Sequence, residues 1–198
     1  MGTFSQTSIL CDSIETIVDQ LSKYYYIGQQ TKLDERKEWL YNLPPNNNIT
    51  VIVSQNHSKN WVEVEFNFDG NLYFYDECLR RISKNLNTKV LLGYYQSSTG
   101  DGRVAKFENG NLELSFYERY FYYNPNYNNL PVIDRIYVAD NFGIRNTAVE
   151  QLKMSKLGVD SNLIDQDFII DYFKSEGWKA DLEKNYFDWS YLHIEQIK

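Results

Sequence analysis

The chain is short of the residues that most often announce a chemistry. It has two cysteines and two histidines in 198 residues, too few thiols and imidazoles for a disulfide framework or a zinc cluster. His57 lies in the polar stretch QNHSKN and His193 in YLHIE, neither with a second His or Cys at ligand spacing. Metal binding and a Ser-His-Asp or Cys-His triad are both disfavoured, since no G-x-S-x-G elbow or other nucleophile motif accompanies them. No cofactor motif is present. Asp69-Gly70-Asn71 and Asp140-Asn141 lack the remaining ligands of a calcium loop. Positive charge is also in deficit: 27 acidic against 20 basic residues leave a net charge of -7, which opposes direct nucleic-acid binding. There is no apolar run of membrane-spanning length. The opening MGTFSQTSILCDSIETIVDQ has no basic n-region, and Gln6 stands where a myristoylation motif prefers a hydroxyl, so a cytoplasmic location without membrane contact is expected.

Apolar material is plentiful. A hydrophobic fraction of 42% and an aromatic fraction of 16%, mostly 17 Tyr and 11 Phe, exceed what a disordered chain carries and suffice for one sizeable core. Cys11 and Cys78 are read as reduced thiols buried in amphipathic helices, with a single bridge between them as the open alternative.

Hydrophobic spacing predicts an α+β fold: a mostly antiparallel β-meander packed against N-terminal helices, with a helical C-terminal part, in one domain spanning 1–198. The N-terminal helices are expected over about 8–43. Leu10, Ile14, Ile17, Val18, Leu21 and Tyr25 recur at helical intervals, and Thr31 to Asp34 opens a second helix that Pro44-Pro45 ends. The sheet, with one inserted helix, is expected over about 49–140. ITVIVS (49–54) and WVEVEFNF (61–68) read as strands; Asp69-Gly70 turns into a strand LYFY (72–75); Asp76 caps a helix through Leu86. Strands 88–96, 103–108 and 112–123 follow, the last two joined by Asn109-Gly110, and 133–140 adds a further strand. C-terminal helices fill about 144–198, one stopping at Gly158 and one of about 162–176 stopping at Gly177; the aromatic tail from Trp178 fits either period.

Three features could carry function. QSSTGDGR (96–103) has the glycine and hydroxyl content of an anion cradle. It lacks the Lys and the following helix of a phosphate loop, and Arg103 to Phe107 alternate like a strand, so a hairpin turn is expected. Glu63 and Glu65 share one strand face about 7 Å apart, which a glycosidase pair would tolerate; a solvated strand face explains them more simply. The tyrosines are more informative. FYERYFYYNPNYNN (116–129) holds more aromatic area than one sheet face hides, so part of it either packs beneath helices or forms a recognition surface. The residues expected to bind a partner are Tyr94, Tyr95, Asp101, Tyr120, Tyr122 and Tyr127, aromatics as anchors and Asp101 as a charge partner.

The span NWVEVEFNFDGNLYFYDECLRRISKNLNTKVLLGYYQSSTGDGRVAKFENGNLELSFYERYFY (60–122), about a third of the chain, resembles the small acidic α+β immunity proteins that bacteria encode beside polymorphic or contact-delivered toxins. The likeness rests on its strand, DG turn, tyrosine-rich strands and NG hairpin, and carries over no toxin chemistry or contact residue. It implies a cytoplasmic, non-catalytic inhibitor that covers the active cleft of one cognate toxin, with a basic partner matching the acidic chain. A small hydrolase-like enzyme with a site built from scattered residues, and an accessory structural domain, are the competing readings.

Overall fold

The computed structural model describes residues 3–33, 49–55, 60–67, 73–96, 101–118, 136–138, 164–179 and 189–197. The fold is α+β with antiparallel pairing. The elements in chain order are β1 (Thr3–Leu10), α1 (Ile14–Tyr24), β2 (Tyr25–Leu33), β3 (Ile49–Ser54), β4 (Trp61–Asn67), α2 (Tyr73–Leu86), β5 (Lys89–Gln96), β6 (Asp101–Glu108), β7 (Asn111–Glu118), β8 (Ile136–Val138), α3 (Gln166–Ser175) and β9 (Trp189–Ile197). The chain divides into two compact units, one of Gln6–Val90, Glu108–Asn111 and Trp178–Lys198, the other of Met1–Ser5, Leu91–Phe107 and Leu112–Gly177.

In the first unit the strand order is β2-β9-β3-β4-β1. Register puts Thr7 opposite Val64, Ile9 opposite Val62 and Val53 opposite Val64, so these residues and Val51 line one face. All are buried. The helix α1 buries Ile14, Ile17 and Leu21 and lies against β3 and β9. Its start is fixed by Ser13, whose hydroxyl accepts the Thr16 N–H at 3.1 Å. The expected helical span 8–43 is therefore corrected at both ends of α1. Leu10 ends a strand, Cys11 lies between β1 and α1, and Tyr25 opens the strand β2. The cause is the alternation in TFSQTSIL and the pairing of β2 with β9, which override helical spacing. Most of the second expected helix lies outside the described residues.

The α2 helix begins at Tyr73, so LYFY opens a helix rather than a returning strand. Its inward residues Cys78, Leu79, Ile82 and Ser83 keep the three- and four-residue spacing of one helical face, and all are buried. Its C-terminal end is clasped by Ser83, whose hydroxyl donates to the Thr88 carbonyl at 2.8 Å and accepts the Gly110 N–H at 3.2 Å. Asn109 and Gly110 have φ of 53° and 85°, the positive pair a two-residue hairpin turn requires. A Cβ at Gly110 would also meet Lys84 Cβ at 2.8 Å.

The expected C-terminal helices are corrected most at the tail. Trp189–Ile197 is a strand inserted between β2 and β3, with Leu192 opposite Val51 and Gln30. Neighbours from distant parts of the chain supply its pairing. The expected helix of 144–157 lies outside the described residues.

In the second unit the order is β5-β6-β7-β8, and β8 pairs with β7 through Tyr117 opposite Tyr137. Asp165 caps α3 by accepting the Phe168 N–H at 2.8 Å, and Gly177, at φ 94°, follows the end of the helix where a glycine stop is expected. The helix crosses β5 and β6. A Cβ at Gly93 would stand 2.3 Å from Ile169 Cγ2, and Lys106 Nζ lies 3.2 Å from Glu176 Oε2.

Candidate protein-binding surface

QSSTGDGR begins at Gln96, the last residue of β5, and runs into β6, which opens at Asp101; the two strands are neighbours in the sheet, and residues 97–100 lie outside the described residues. A phosphate loop would present the N-terminus of a helix here, and the chain continues as strand instead. Gly102 has a packing reason for being glycine, because a Cβ there would lie 2.8 Å from Ile164 Cβ, inside contact distance. The glycine admits Ile164 and does not shape an anion cradle.

The expected anchors separate along these strands. Tyr94 is 6% exposed, so it packs in the core and offers no accessible ring. The strand is buried on both faces from Val90 through Tyr94, so Tyr94 is enclosed on the face opposite Gly93, the residue that meets α3. Tyr95, one position on, is half-buried at the end of β5. Asp101 is the first residue of β6 rather than the crest of the turn. Tyr120, Tyr122 and Tyr127 lie outside the described residues. Elsewhere, Tyr26 on β2 is 52% exposed, a large aromatic surface within the span 8–43 expected to be helical.

The face carrying Glu63 and Glu65 is less open than alternation suggests. Ser8 and Ser54 both stand opposite Glu63, and Ile52 stands opposite Glu65. Ser8, Ser54, Ile52 and Trp61 are buried, while the two carboxylates are half-buried. Gln6 Nε2 donates to Ser8 Oγ at 3.0 Å and to Glu63 Oε1 at 3.3 Å. A polar network thus replaces the expected solvated stripe. The signal was available in TFSQTSIL, whose Gln6 and Ser8 alternate with Thr7 and Ile9, but only the pairing with β4 joins them to Glu63.

His193 sits in β9 opposite Thr50 and Gln29; His57 lies outside the described residues. Both cysteines are free thiols. Burial pushes Cys78 up to about 12, and burial also raises Cys11. Neither has the lowered pKa of a nucleophilic or metal-binding thiolate. Among the described residues no three His, Cys, Asp or Glu side chains gather as a metal site, and no helix is long and apolar enough to cross a membrane.

No known protein family, curated protein or solved structure matches the chain.

Proposed function

We propose that this is an immunity-type binding protein of the bacterial cytoplasm, which neutralises a cognate toxin by seating against its active cleft without chemistry of its own. The observation that supports the reading is the adjacency of β5 and β6 in the sheet, which leaves the half-buried Tyr95, near the end of β5, and Asp101, the first residue of β6, on either side of residues 97–100. The resemblance of residues 60–122 to immunity proteins supplies the biological class. The net charge of -7 favours a basic partner, such as a toxin built to hold phosphates. Opposite charge would speed encounter, and half-buried aromatics that become fully covered would slow release.

The test uses the variable C-terminal domain of a toxin encoded beside the gene. Alanine variants of Tyr95, Asp101, Tyr120, Tyr122 and Tyr127 are expected to weaken the complex while keeping the wild-type fold. Tyr94→Ala, by contrast, is expected to destabilise the protein itself. Full affinity in all five variants would remove these residues from the interface, and failure of every adjacent toxin domain to bind the wild-type chain would remove the immunity reading.

A further inference from the structure

Asn109-Gly110 is the chain's single Asn-Gly step. In such a step the glycine nitrogen, unhindered by a side chain of its own, attacks Cγ of the asparagine. A C–N bond closes a five-membered succinimide, the nitrogen's proton passes to solvent base, and ammonia leaves. Water then opens the ring to aspartate or isoaspartate, adding one negative charge. Asn109 is exposed, so water and base reach its side chain.

Two features of the folded turn oppose that attack. Asn109 has φ 53°, in the left-handed region where ψ is about +30 to +60°. At such a ψ an L-residue holds its Cβ nearly opposite the next backbone nitrogen, whereas ring closure needs the two nearly eclipsed. The rotation that would align them swings the Gly110 N–H away from its partner. Gly110 is buried, and this N–H is donated to the fully buried Ser83 Oγ at 3.2 Å. The next peptide is held as well, since Arg80 Nη1 donates to the Gly110 carbonyl at 3.5 Å and a Cβ at Gly110 would meet Lys84 Cβ at 2.8 Å. Three residues of α2 thus fix the nucleophilic nitrogen in a position from which it does not reach Asn109 Cγ.

We infer that Asn109 is a deamidation site gated by Ser83, closed while the hydroxyl holds the Gly110 N–H and open when the turn leaves α2. Opening is local, because it requires release of one turn and not of the sheet. The isoaspartyl product carries an additional backbone carbon in a turn two residues long, so the positive φ pair that fits the clasp is lost with it.

The test incubates the full chain in mildly alkaline buffer, follows deamidation by intact mass and places it by peptide mapping with isoaspartate detection. Asn109 is expected to be modified at least roughly tenfold more slowly in the native chain than in the urea-unfolded chain. Ser83→Ala should speed the native rate roughly tenfold and leave the unfolded rate unchanged. Val53→Ala is the control for stability alone: it opens a cavity in β3, between β9 and β4, and should leave the native rate near that of wild type. Equal native and unfolded rates in the wild-type chain, or modification that maps away from Asn109, would overturn the site. Val53→Ala speeding the reaction as much as Ser83→Ala would overturn the gate and assign protection to global folding. Amide hydrogen exchange of the wild-type chain decides the gate even where Ser83→Ala does not fold: the Gly110 amide is expected to exchange at least roughly tenfold more slowly than in the unfolded chain, and an unprotected amide would refute it.

Discussion

Ser83→Ala removes the hydroxyl that ties three segments of the first unit together. The side chain is fully buried, with its oxygen donating to the Thr88 carbonyl at 2.8 Å and receiving the Gly110 N–H at 3.2 Å. The two losses differ in size. The Thr88 carbonyl also accepts the Asn109 N–H, at 3.4 Å, so it keeps a long hydrogen bond. Gly110 N–H keeps no such substitute, and a buried donor left unmade costs about 1–3 kcal/mol. The sum is about 1.5–3 kcal/mol. With a urea slope near 2 kcal/mol/M, the midpoint should fall by about 1 M at constant slope. Thermal unfolding should move down by about 4–10 °C, as expected for a chain of this length. Ser22→Ala is the control: its hydroxyl caps the Asp19 carbonyl on an exposed helix surface, so its midpoint should stay within about 0.5 kcal/mol of wild type. A Ser83→Ala midpoint equal to that of Ser22→Ala would show that this clasp carries no net energy. The argument from the buried donor would then fail.

Gly93→Ala should destabilise by about 1–3 kcal/mol, because the new methyl meets Ile169 Cγ2 at 2.3 Å and α3 must shift. Placing it on an Ile169→Ala background should recover part of that loss in a double-mutant cycle, and strict additivity would refute the contact. The Glu77 carboxylate is held down at about 2 by hydrogen bonds from Arg80 and Arg81. A depressed folded pKa gives stability above the unfolded value near 4.3 that is lost as pH falls toward 2. Glu77 is 40% exposed, so the pair is discounted to a surface value of about 0.5–1 kcal/mol. Urea midpoints of Glu77→Gln and wild type should differ at pH 7, converge by about pH 2, and also converge in 1 M salt; a gap that is unchanged at pH 2 would place its origin elsewhere.

Legibility followed the range of the interaction that decides each element. The Asn109-Gly110 turn and the glycine stop at Gly177 were readable because positive φ is a local property that few residues tolerate. The alternation of Val62 and Val64 with Glu63 and Glu65 likewise placed β4 correctly. The ends of the chain were misread for the opposite reason. Leu10 stands four residues before Ile14 and completes a plausible helical face, yet its backbone is used by β4, opposite Trp61. The tail from Trp189 has a twofold pattern that becomes decisive only between β2 and β3, strands more than a hundred residues earlier. Tyr94 and Tyr95 show the same limit within a dipeptide: composition names both as anchors, but the buried stretch of β5 runs on both faces through Tyr94 and ends there.

The carboxylate pair sharpens this point. Along β4 alone, Glu63 and Glu65 have the pattern of an ordinary solvated edge, and nothing in WVEVEFN argues otherwise. Their surroundings come from Ser8 on β1 and Ser54 on β3, residues 55 positions or fewer away in sequence but directly opposite Glu63 in the sheet. Ser8 and Ser54 are themselves buried, so Glu63 faces polar side chains of neighbouring strands rather than open solvent.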